Sequence, residues 1–395
     1  MNIPAHIPAH LVYEFNHNTD EGLLSDPQRR FKELSDKFPG GLFYSPSLGG
    51  FWVTTNYENY ATVAANAELY SSREVTIPST GGMYRLIPVN IDPPDHAKYR
   101  QVLAKQFSPP RMRKMEDDIR VLANQLIDNI VGKGSCNFVD EFAEQLPVIV
   151  FMKMMGLPLE RLEEFRGWAM VALTETDPKT RMPVMMNIIG FMTESLQARK
   201  SERQDDLLSD IIHAEIDGRP ITMEEAQAYC LLLFLAGLDT VVNATSFGIR
   251  HLANDKALQQ QIRETPEIAP AFVEESLRRY SFVNIGRIVS KDHELNGQLL
   301  KADEMILVPQ IPANLDENAF ENALEFKLDR KGPNRHIAFN TGPHNCLGAH
   351  LARIELALTY QEWCKRIPEF SEDTTTPPVL AAGPVMGMRN LQLSW

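Results

Sequence analysis

Asp239 and Thr240 lie in the middle of one of the most apolar stretches of the sequence, LLLFLAGLDTVV, which spans residues 231–242. Burying an unpaired charge is costly, so a carboxylate and a hydroxyl at this place need a reason. A hydroxyl can hold an oxygen-containing ligand and organise water, a nearby carboxylate can relay protons, and Gly237 leaves room for a ligand. In the structural alternative, Asp239 pairs with a buried Arg or Lys, and Thr240 bonds to a carbonyl one turn earlier.

Cys346 is the second residue that could do chemistry. It directly precedes a helical apolar periodicity over residues 347–358, so it faces the dipole and free N–H groups of a helix N-terminus, which favour a thiolate. Gly342 and Gly348 permit a tight turn and the close approach of a flat ligand. Such a thiolate is suited to hold a metal centre axially, and the alternative is an ordinary buried cysteine. Zinc is poorly supported because His344 and Cys346 lack two further ligands at recognisable spacing.

The elements that must position these residues are mostly helical. Apolar residues at three- and four-residue spacings predict helices near 27–38, 56–66, 95–107, 111–132, 139–156, 159–174, 181–203, 222–253, 267–280 and 347–366. Strand-like runs occupy 42–54, 283–290, 297–308 and the C-terminus. The stretch 71–94 has no periodicity, which makes it a candidate substrate loop or a mobile surface loop, and a second irregular stretch covers 309–345.

The helix that carries Asp239 begins with a capping-box pattern, Thr222-Met-Glu-Glu225, and is predicted to continue to about residue 252. That length is roughly twice the average for a globular helix. Since its middle is apolar all round, we expect it to pass through the centre of the protein.

Composition narrows the class of protein. The chain has 395 residues, 44% hydrophobic and 23% charged, with a net charge of −13, which argues against nucleic acid and anionic membranes as general partners. No uninterrupted apolar run approaches the roughly 20 residues that span a bilayer. The N-terminus lacks a signal-like pattern and the four cysteines are far apart, so we expect a cytoplasmic protein with reduced thiols.

The segment Phe339-x-x-Gly342-x-x-x-Cys346-x-Gly348, with His344 two residues before the cysteine, resembles the haem-binding signature of cytochrome P450s. Glu275-Ser-Leu-Arg278 and Ala236-Gly-Leu-Asp-Thr240 match two further family motifs in the right order. The resemblance covers essentially the whole chain and is closest to the soluble bacterial camphor hydroxylase group, through LAGLDTVVN, EESLRRYSFVNIGRIV and YRLIPVNIDPPDHAKYR. Asn340 departs from the glycine usual after the phenylalanine, but Asn tolerates unusual backbone angles.

The resemblance implies one cytochrome P450 domain over 1–395, mainly α with small β-sheets. Haem b would lie between the long central helix and the helix that follows the cysteine loop. Cys346 would be the axial thiolate ligand of the iron, and Asp239 and Thr240 would serve oxygen activation. Glu275, Arg278 and Arg330 would form a buried network that fixes the cysteine loop. The implied contacts of the haem propionates are His96, Arg100, Arg287 and His344. Ile285 stands where the camphor hydroxylase group has an aspartate near a propionate.

The resemblance also implies a substrate pocket. Tyr84 matches a position from which the camphor hydroxylase group donates a hydrogen bond to its ketone, although a structural tyrosine is the alternative. The implied apolar walls are Val75, Val89, Leu232, Leu235 and Val283, with the segment around Pro384–Val385 closing the site. Such a pocket suits a compact, weakly polar molecule such as a monoterpenoid, camphor-like or cineole-like.

Electrons must come from another protein, because the sequence has neither a GxGxxG fingerprint nor a P-loop. No acidic residue lies between His96 and Met115, and this local positive patch suits an acidic ferredoxin, with a solvated basic face as the alternative. Its cations are Lys98, Arg100, Lys105, Arg111, Arg113 and Lys114.

The resemblance implies hydroxylation of an unactivated C–H bond with O2, with electrons supplied by a [2Fe–2S] ferredoxin and its NADH-dependent reductase. The protein is expected to be a monomer. The two alternatives are a peroxide-using haem-thiolate enzyme and a non-catalytic haem-binding or sensor protein.

Overall fold

A computed structural model of the chain describes residues 3–79, 81, 85–175, 177–330 and 336–395. Helices dominate this part of the chain, as the periodicity predicts. The helices are α1 Glu21–Ser25, α2 Pro27–Lys37, α3 Tyr57–Ala65, α4 Asp95–Ala104, α5 Pro109–Arg113, α6 Glu116–Asp128, α7 Gln145–Met155, α8 Leu162–Thr174, α9 Pro178–Ser201, α10 Leu207–Ile212, α11 Met223–Ala253, α12 Lys256–Glu264, α13 Ala269–Arg279, α14 Gln310–Asn314 and α15 Ala349–Arg366.

The strands are short and form small sheets. They are β1 Leu42–Ser45, β2 Phe51–Thr54, β3 Tyr70–Ser71, β4 Ser135–Asn137, β5 Glu215–Ile216, β6 Arg219–Pro220, β7 Asn284–Val289, β8 His293–Leu295, β9 Gln298–Leu300, β10 Met305–Pro309, β11 Ser371–Glu372, β12 Leu380–Ala381, β13 Gly387–Met388 and β14 Gln392–Ser394. The main sheet has the order β1-β2-β10-β7-β3, with β2 and β10 parallel and the other neighbours antiparallel. The remaining sheets are β11-β14-β4 and the hairpins β12-β13, β5-β6 and β8-β9.

Helix α11 is the central element. Its predicted capping box is confirmed, since the Glu225 N–H donates to the Thr222 hydroxyl at 3.2 Å and the Thr222 N–H donates to the Glu225 carboxylate at 2.9 Å. Within the described part of the chain, α11 alone is long and apolar enough to cross a membrane, but 67% of its apolar window is buried inside the protein. The helix packs against α7, α8, α9, α13 and α15. It is therefore a core helix, as its pattern predicts.

Two apolar clusters flank α11 and bring the motifs together. One joins α11 to α6, α13 and α15, and the other joins its first half to α4, α7, α8, α9 and α10. Leu347, Leu351 and Ile354, which follow Cys346, pack against the second cluster. Helix α15, which follows the cysteine loop, thus packs against α11, the helix that carries Asp239 and Thr240.

Candidate active site

Cys346 lies in the short loop between a 3-10 turn, Gly342–His344, and helix α15. Its N–H donates to the Phe339 carbonyl at 2.8 Å, which closes the loop. Cys346 is the exposed cysteine of the four, whereas the other three are buried. Its thiol is reachable by solvent but surrounded by protein, so burial raises its pKa, and the N–H groups of Gly348 and Ala349 act in the opposite direction. A reachable sulfur that faces helix N–H groups is suited to be a metal ligand.

Two residues of this loop hold backbone conformations that few side chains tolerate. Asn340 has a φ of 63°, in agreement with the tolerance expected of asparagine. Gly342 has a φ of +72°, and a Cβ at this position would lie 2.8 Å from the Ala65 Cα and 2.9 Å from the Ala64 carbonyl oxygen. The cysteine loop therefore packs directly on the backbone of α3, and only glycine fits there.

Buried His96 approaches half-buried His344 at the start of the cysteine loop. The rings of His96 and His344 have centroids 4.2 Å apart, and His344 Nε2 lies 3.1 Å from the Ser72 hydroxyl. Burial, assisted by the nearby charge of Arg287, lowers the pKa of His344 to about 3, so this ring is neutral. His96 Nε2 is buried without a hydrogen-bond partner in the part of the chain that the structure describes. That unsatisfied nitrogen needs a ligand or water.

Two arginines in the same region form no ion pair with any carboxylate among the described residues. Arg287 is 3% exposed, and its guanidinium donates to the Gly286 carbonyl at 2.8 Å. Burial lowers its pKa, and no ion pair to Arg287 is found among the described residues. Arg100 donates to the Asn345 carbonyl at 2.6 Å, in the cysteine loop. A buried guanidinium with no counterion predicts an anionic ligand.

These groups fit haem. The orphaned His96 nitrogen, the unpaired Arg287 and Arg100 offer donors and positive charge for two carboxylates, and Cys346 supplies a sulfur ligand beside them. On α11, Ala236 and Gly237 are exposed although most of the helix is buried. A Cβ on Gly237 would meet only the Phe151 ring, at 3.9 Å, so the helix leaves open space there. The donor set and the open helix face together suit a flat dianionic cofactor.

The Thr240 contact is the one that the structural alternative names, whereas the arginine that pairs with Asp239 is partly exposed and not buried. The Thr240 hydroxyl donates to the Ala236 carbonyl at 2.9 Å, one turn earlier. Asp239 is 8% exposed, and its carboxylate forms an ion pair with Arg389 at 3.3 Å. Burial raises the pKa of the Asp239 carboxyl, and the charge of Arg389 opposes that rise. With these contacts, the Thr240 hydroxyl and the Asp239 carboxyl still belong to the same helical turn as Gly237.

Glu275, Arg278 and Arg330 form one network. Arg278 donates twice to the Glu275 carboxylate at 2.8 Å, and Arg330 donates to the same carboxylate at 2.9 Å. Arg278 also donates to the carbonyls of Asn314 and Ala323, both at 2.8 Å. Glu275 and Arg278 are 4% and 2% exposed, so they are not a surface pair on a helix. The network ties α13 to the irregular stretch that leads to the cysteine loop.

The residues implied for the substrate pocket are only partly brought together. The Gly286 N–H donates to the Val75 carbonyl at 2.8 Å, and Val283 pairs with Val385 next to the start of β7. Leu232 and Leu235 are half-buried on α11, and Val89 is half-buried in the loop before α4. Tyr84 lies outside the residues that the structure describes.

The positive patch that the sequence predicts is smaller in the fold. Lys98 forms an ion pair with Asp217 at 2.6 Å, and Arg111 lies 3.7 Å from Asp210, so acidic residues distant in sequence neutralise both. Arg100 turns toward the cysteine loop. We define the proximal patch by the three remaining cations, which are exposed and have no ion pair among the described residues: Lys105, Arg113 and Lys114. It lies on and beside α5, which packs against α15, the helix that follows Cys346.

Two groups near the site escaped the sequence analysis. One is Arg389, whose separation of 150 residues from Asp239 leaves no local pattern. The other is Arg353, which lies over the Phe339 ring at 4.5 Å and pairs with Glu274 at 2.5 Å. Only the second group had a signal in the sequence, since Arg353 is one helical turn past the cysteine loop and Glu274 precedes the recognised Glu275.

Comparison with known proteins decides the family. A family model for cytochrome P450 matches residues 165–363. A probable cytochrome P450 127A1 of Sinorhizobium fredii is 34% identical, and the alignment covers 100% of this chain and 97% of that protein. The chain belongs to the cytochrome P450 family. The P450(BM-1) of Priestia megaterium is a further relative, 29% identical with 95% of each chain covered.

Solved P450 structures agree over the whole length. The crystal structure of CYP101J2 is 35% identical with a TM-score of 0.92, and that of CYP101C1 is 29% identical with a TM-score of 0.93. In both cases 100% of this chain and 100% of the other are covered. The chain thus has the P450 fold, and it is a haem-dependent monooxygenase that needs a substrate, O2 and electrons from a redox partner.

Proposed function

We propose that this P450 is a cytoplasmic, monomeric, single-domain enzyme that hydroxylates an unactivated C–H bond of a small monoterpenoid-like compound. The observation that carries the assignment of the site is the reachable Cys346 sulfur in a loop that Arg100 contacts, together with a buried arginine, Arg287, that has no ion pair among the described residues. A protein that binds haem must supply a ligand for the iron and partners for the two propionates. A thiolate and an anion-binding set in one region meet both needs.

Five residues hold the cofactor in this proposal. Cys346 would be the sulfur ligand of the iron, and the propionates would be bound by His96, Arg100, Arg287 and His344. Haem with a thiolate ligand activates O2 for insertion into a C–H bond, with the thiolate favouring cleavage of the O–O bond. His344 is neutral, so it acts as a hydrogen-bond partner, whereas the two arginines supply positive charge.

Asp239 and Thr240 serve proton delivery in this proposal. The reaction consumes two protons, and the open space at Ala236 and Gly237 is where they are needed. Thr240 holds a proton-donating water through its hydroxyl, and Asp239 passes protons to that position from the surface side. The back-bond to the Ala236 carbonyl orients the Thr240 hydroxyl, whose oxygen keeps its lone pairs free to accept.

A small oxygenated hydrocarbon fits the implied substrate contacts. Val75, Val89, Leu232, Leu235 and Val283 are all apolar and all only half-buried, as the walls of an accessible site should be. The motif resemblance to the camphor hydroxylase group adds Tyr84 as a hydrogen-bond donor. The two CYP101 structures that this chain matches over its full length are consistent with that resemblance.

A [2Fe–2S] ferredoxin, reduced by an NADH-dependent reductase, is the proposed electron donor. The proximal patch (Lys105, Arg113, Lys114) gives a positive surface beside α15 on a protein with a net charge of −13. Such a local field favours docking of an acidic partner near the cysteine side of the cofactor.

The carbon monoxide complex of the reduced protein tests the assignment of Cys346. We expect the far-red-shifted Soret band of thiolate ligation, its loss in Cys346→Ser, and its retention in Cys364→Ala, which removes a buried cysteine from α15, the helix that follows Cys346. A normal Soret position in the wild-type protein would overturn the assignment.

Turnover separates the proposal from its alternatives. NADH consumption with ferredoxin and reductase, coupled to a hydroxylated terpenoid, supports a monooxygenase. Product formed only with peroxide supports a peroxide-using enzyme, and reversible gas or ligand binding without product supports a sensor. A panel of terpenoids screened by the spin-state change of the haem identifies the substrate class, and the absence of any response contradicts it.

A further inference from the structure

The carboxylate of Asp239 has one charged partner among the described residues, Arg389 in the C-terminal segment. Arg389 Nη1 lies 3.3 Å from Asp239 Oδ1, and the arginine side chain is 30% exposed, against 9% for the aspartate side chain. The guanidinium therefore lies between a buried carboxylate on α11 and the solvent. The charge of Arg389 also acts on Glu144, which is itself paired with Arg166 at 3.2 Å.

The segment that carries Arg389 is fixed to α11 by a second residue. Asn243, one helical turn after Asp239, donates to the Asp239 carbonyl at 2.8 Å and accepts from the Met388 N–H at 3.0 Å. Asn243 is fully buried. A Cβ on Gly387 would lie 3.2 Å from both the Asn243 Oδ1 and the Arg389 guanidinium, so the segment approaches the helix closely.

The same segment is fixed to the start of β7 at its other end. The Asn284 N–H donates to the Pro384 carbonyl at 2.8 Å, and the Met386 N–H donates to the Phe282 carbonyl at 2.7 Å. Val385 pairs with Val283, one of the proposed walls of the substrate pocket. Val385 and Arg389 are four residues apart, at most about 13 Å in extended chain. A single short segment, bonded at both ends, thus joins a pocket wall to the partner of Asp239.

We propose that Arg389 is a positioning residue for Asp239, and that the segment Pro384–Arg389 couples the substrate pocket to the proton-delivering carboxylate. The inference rests on the proposed function of Asp239. A guanidinium stays protonated in proteins, so Arg389 supplies no proton itself. Its role is to keep the buried carboxylate charged and aimed, because an unpaired carboxylate at this depth would take up a proton or turn away.

Urea unfolding of the ferric haem protein tests the pairing without any turnover. Arg389→Gln leaves a buried charge uncompensated, so we expect a lower urea midpoint, and adding Asp239→Asn should recover much of that loss. Arg250→Gln is the matched control. Arg250 is on α11, like Asp239, and it pairs with Glu372, near the C-terminus, at 3.1 Å. Combined with Asp239→Asn, Arg250→Gln should give an additive effect. Additivity for Arg389→Gln as well would overturn the proposal.

Coupling efficiency and the solvent isotope effect test the role in proton delivery. Arg389→Gln should lower product formed per NADH about tenfold, less than the loss of a direct acid–base group, and raise the solvent isotope effect. Arg389→Lys should recover most of the product formed per NADH. In an Asp239→Asn background, Arg389→Gln should cause no further loss of product per NADH. If the wild-type protein hydroxylates its substrate but Arg389→Gln behaves like Arg250→Gln, the inference is wrong. If the wild-type protein forms no product, the proposed function fails, and the urea experiment still decides the pairing.

Discussion

At the scale of single residues, Thr240 and Cys346 are contrasting cases. Cys346 is reachable and backed by N–H groups, so its local sequence and its environment lead to the same role. Thr240 donates to the Ala236 carbonyl, a contact that many helical threonines make without any catalytic role. What distinguishes Thr240 from such threonines is its place one turn after the exposed Ala236 and Gly237.

Thr240→Ala should uncouple the reaction. NADH consumption should stay within about twofold of wild type, because electron delivery does not involve this hydroxyl, while product per NADH should fall about tenfold and peroxide or water should form instead. Thr245→Ala is the control, since Thr245 bonds in the same way to the Val241 carbonyl at 2.6 Å and is buried. Equal coupling in both variants would remove Thr240 from the mechanism.

Gly342→Ala should impair the cysteine loop. The new Cβ would lie 2.8 Å from the Ala65 Cα, and the φ of +72° is strained for alanine, at a cost on the order of 1–3 kcal/mol. We expect a lower haem-to-protein ratio and a lower unfolding temperature. Gly190→Ala, on α9 with no atom within 4 Å of the added Cβ, should instead leave haem content unchanged and stabilise the protein slightly. Full haem content in Gly342→Ala would show that the backbone of α3 can shift to accept the added Cβ, which would contradict this prediction.

At the scale of elements, the sequence predicted helices well wherever apolar periodicity was long. The predicted 222–253 is Met223–Ala253, and the predicted 27–38 is Pro27–Lys37. Helix α12, Lys256–Glu264, was missed although its signal was present, since Asp255 caps it and Leu258 and Ile262 form its buried face. The run 42–54 is two strands with a turn between them, because the Gly-Gly pair there takes positive φ values.

Elements that depend on distant partners could not be predicted in this way. The positive patch loses Lys98 and Arg111 to Asp217 and Asp210, which approach only in the folded chain. The partner of Asp239 is likewise distant in sequence, since Arg389 directly follows β13 and is 150 residues away. Charge patterns report local composition, whereas ion pairs across elements depend on tertiary structure.

Charge reversal of the proximal patch should weaken ferredoxin binding. Replacing Lys105, Arg113 and Lys114 by Glu should raise the Kd about tenfold or more at low salt, with a smaller difference at high salt because screening reduces the wild-type attraction. The control replaces the exposed Lys179, Lys200 and Lys301 by Glu, which changes the net charge equally away from α5. Equal weakening in both triple variants would mean that overall charge, and not this patch, attracts the partner.

At the scale of the whole molecule, stability should fall in mild acid because the core holds a neutral histidine. His17 is fully buried, packs its edge against the Phe51 ring at 5.8 Å, and has both ring nitrogens without partners among the described residues. Burial lowers its pKa from 6.5 to about 4. The unfolded chain takes up a proton near pH 6.5, but the folded protein does so only near pH 4, so stability is complete above pH 6.5 and declines between these values.

The expected loss from His17 is about 2 kcal/mol between pH 7.5 and pH 5, and about 3 kcal/mol once the pH is below 4. His17→Leu removes the titrating group, so its free energy of unfolding should depend less steeply on pH over this range, whatever its absolute stability. His10→Leu, which replaces an exposed histidine, should keep the wild-type slope. Urea unfolding at a series of pH values measures both slopes. Parallel curves for His17→Leu and the wild-type protein would place the acid sensitivity elsewhere in the fold, with the half-buried rings of His251 and His344, whose pKa burial also lowers, as the next groups to replace.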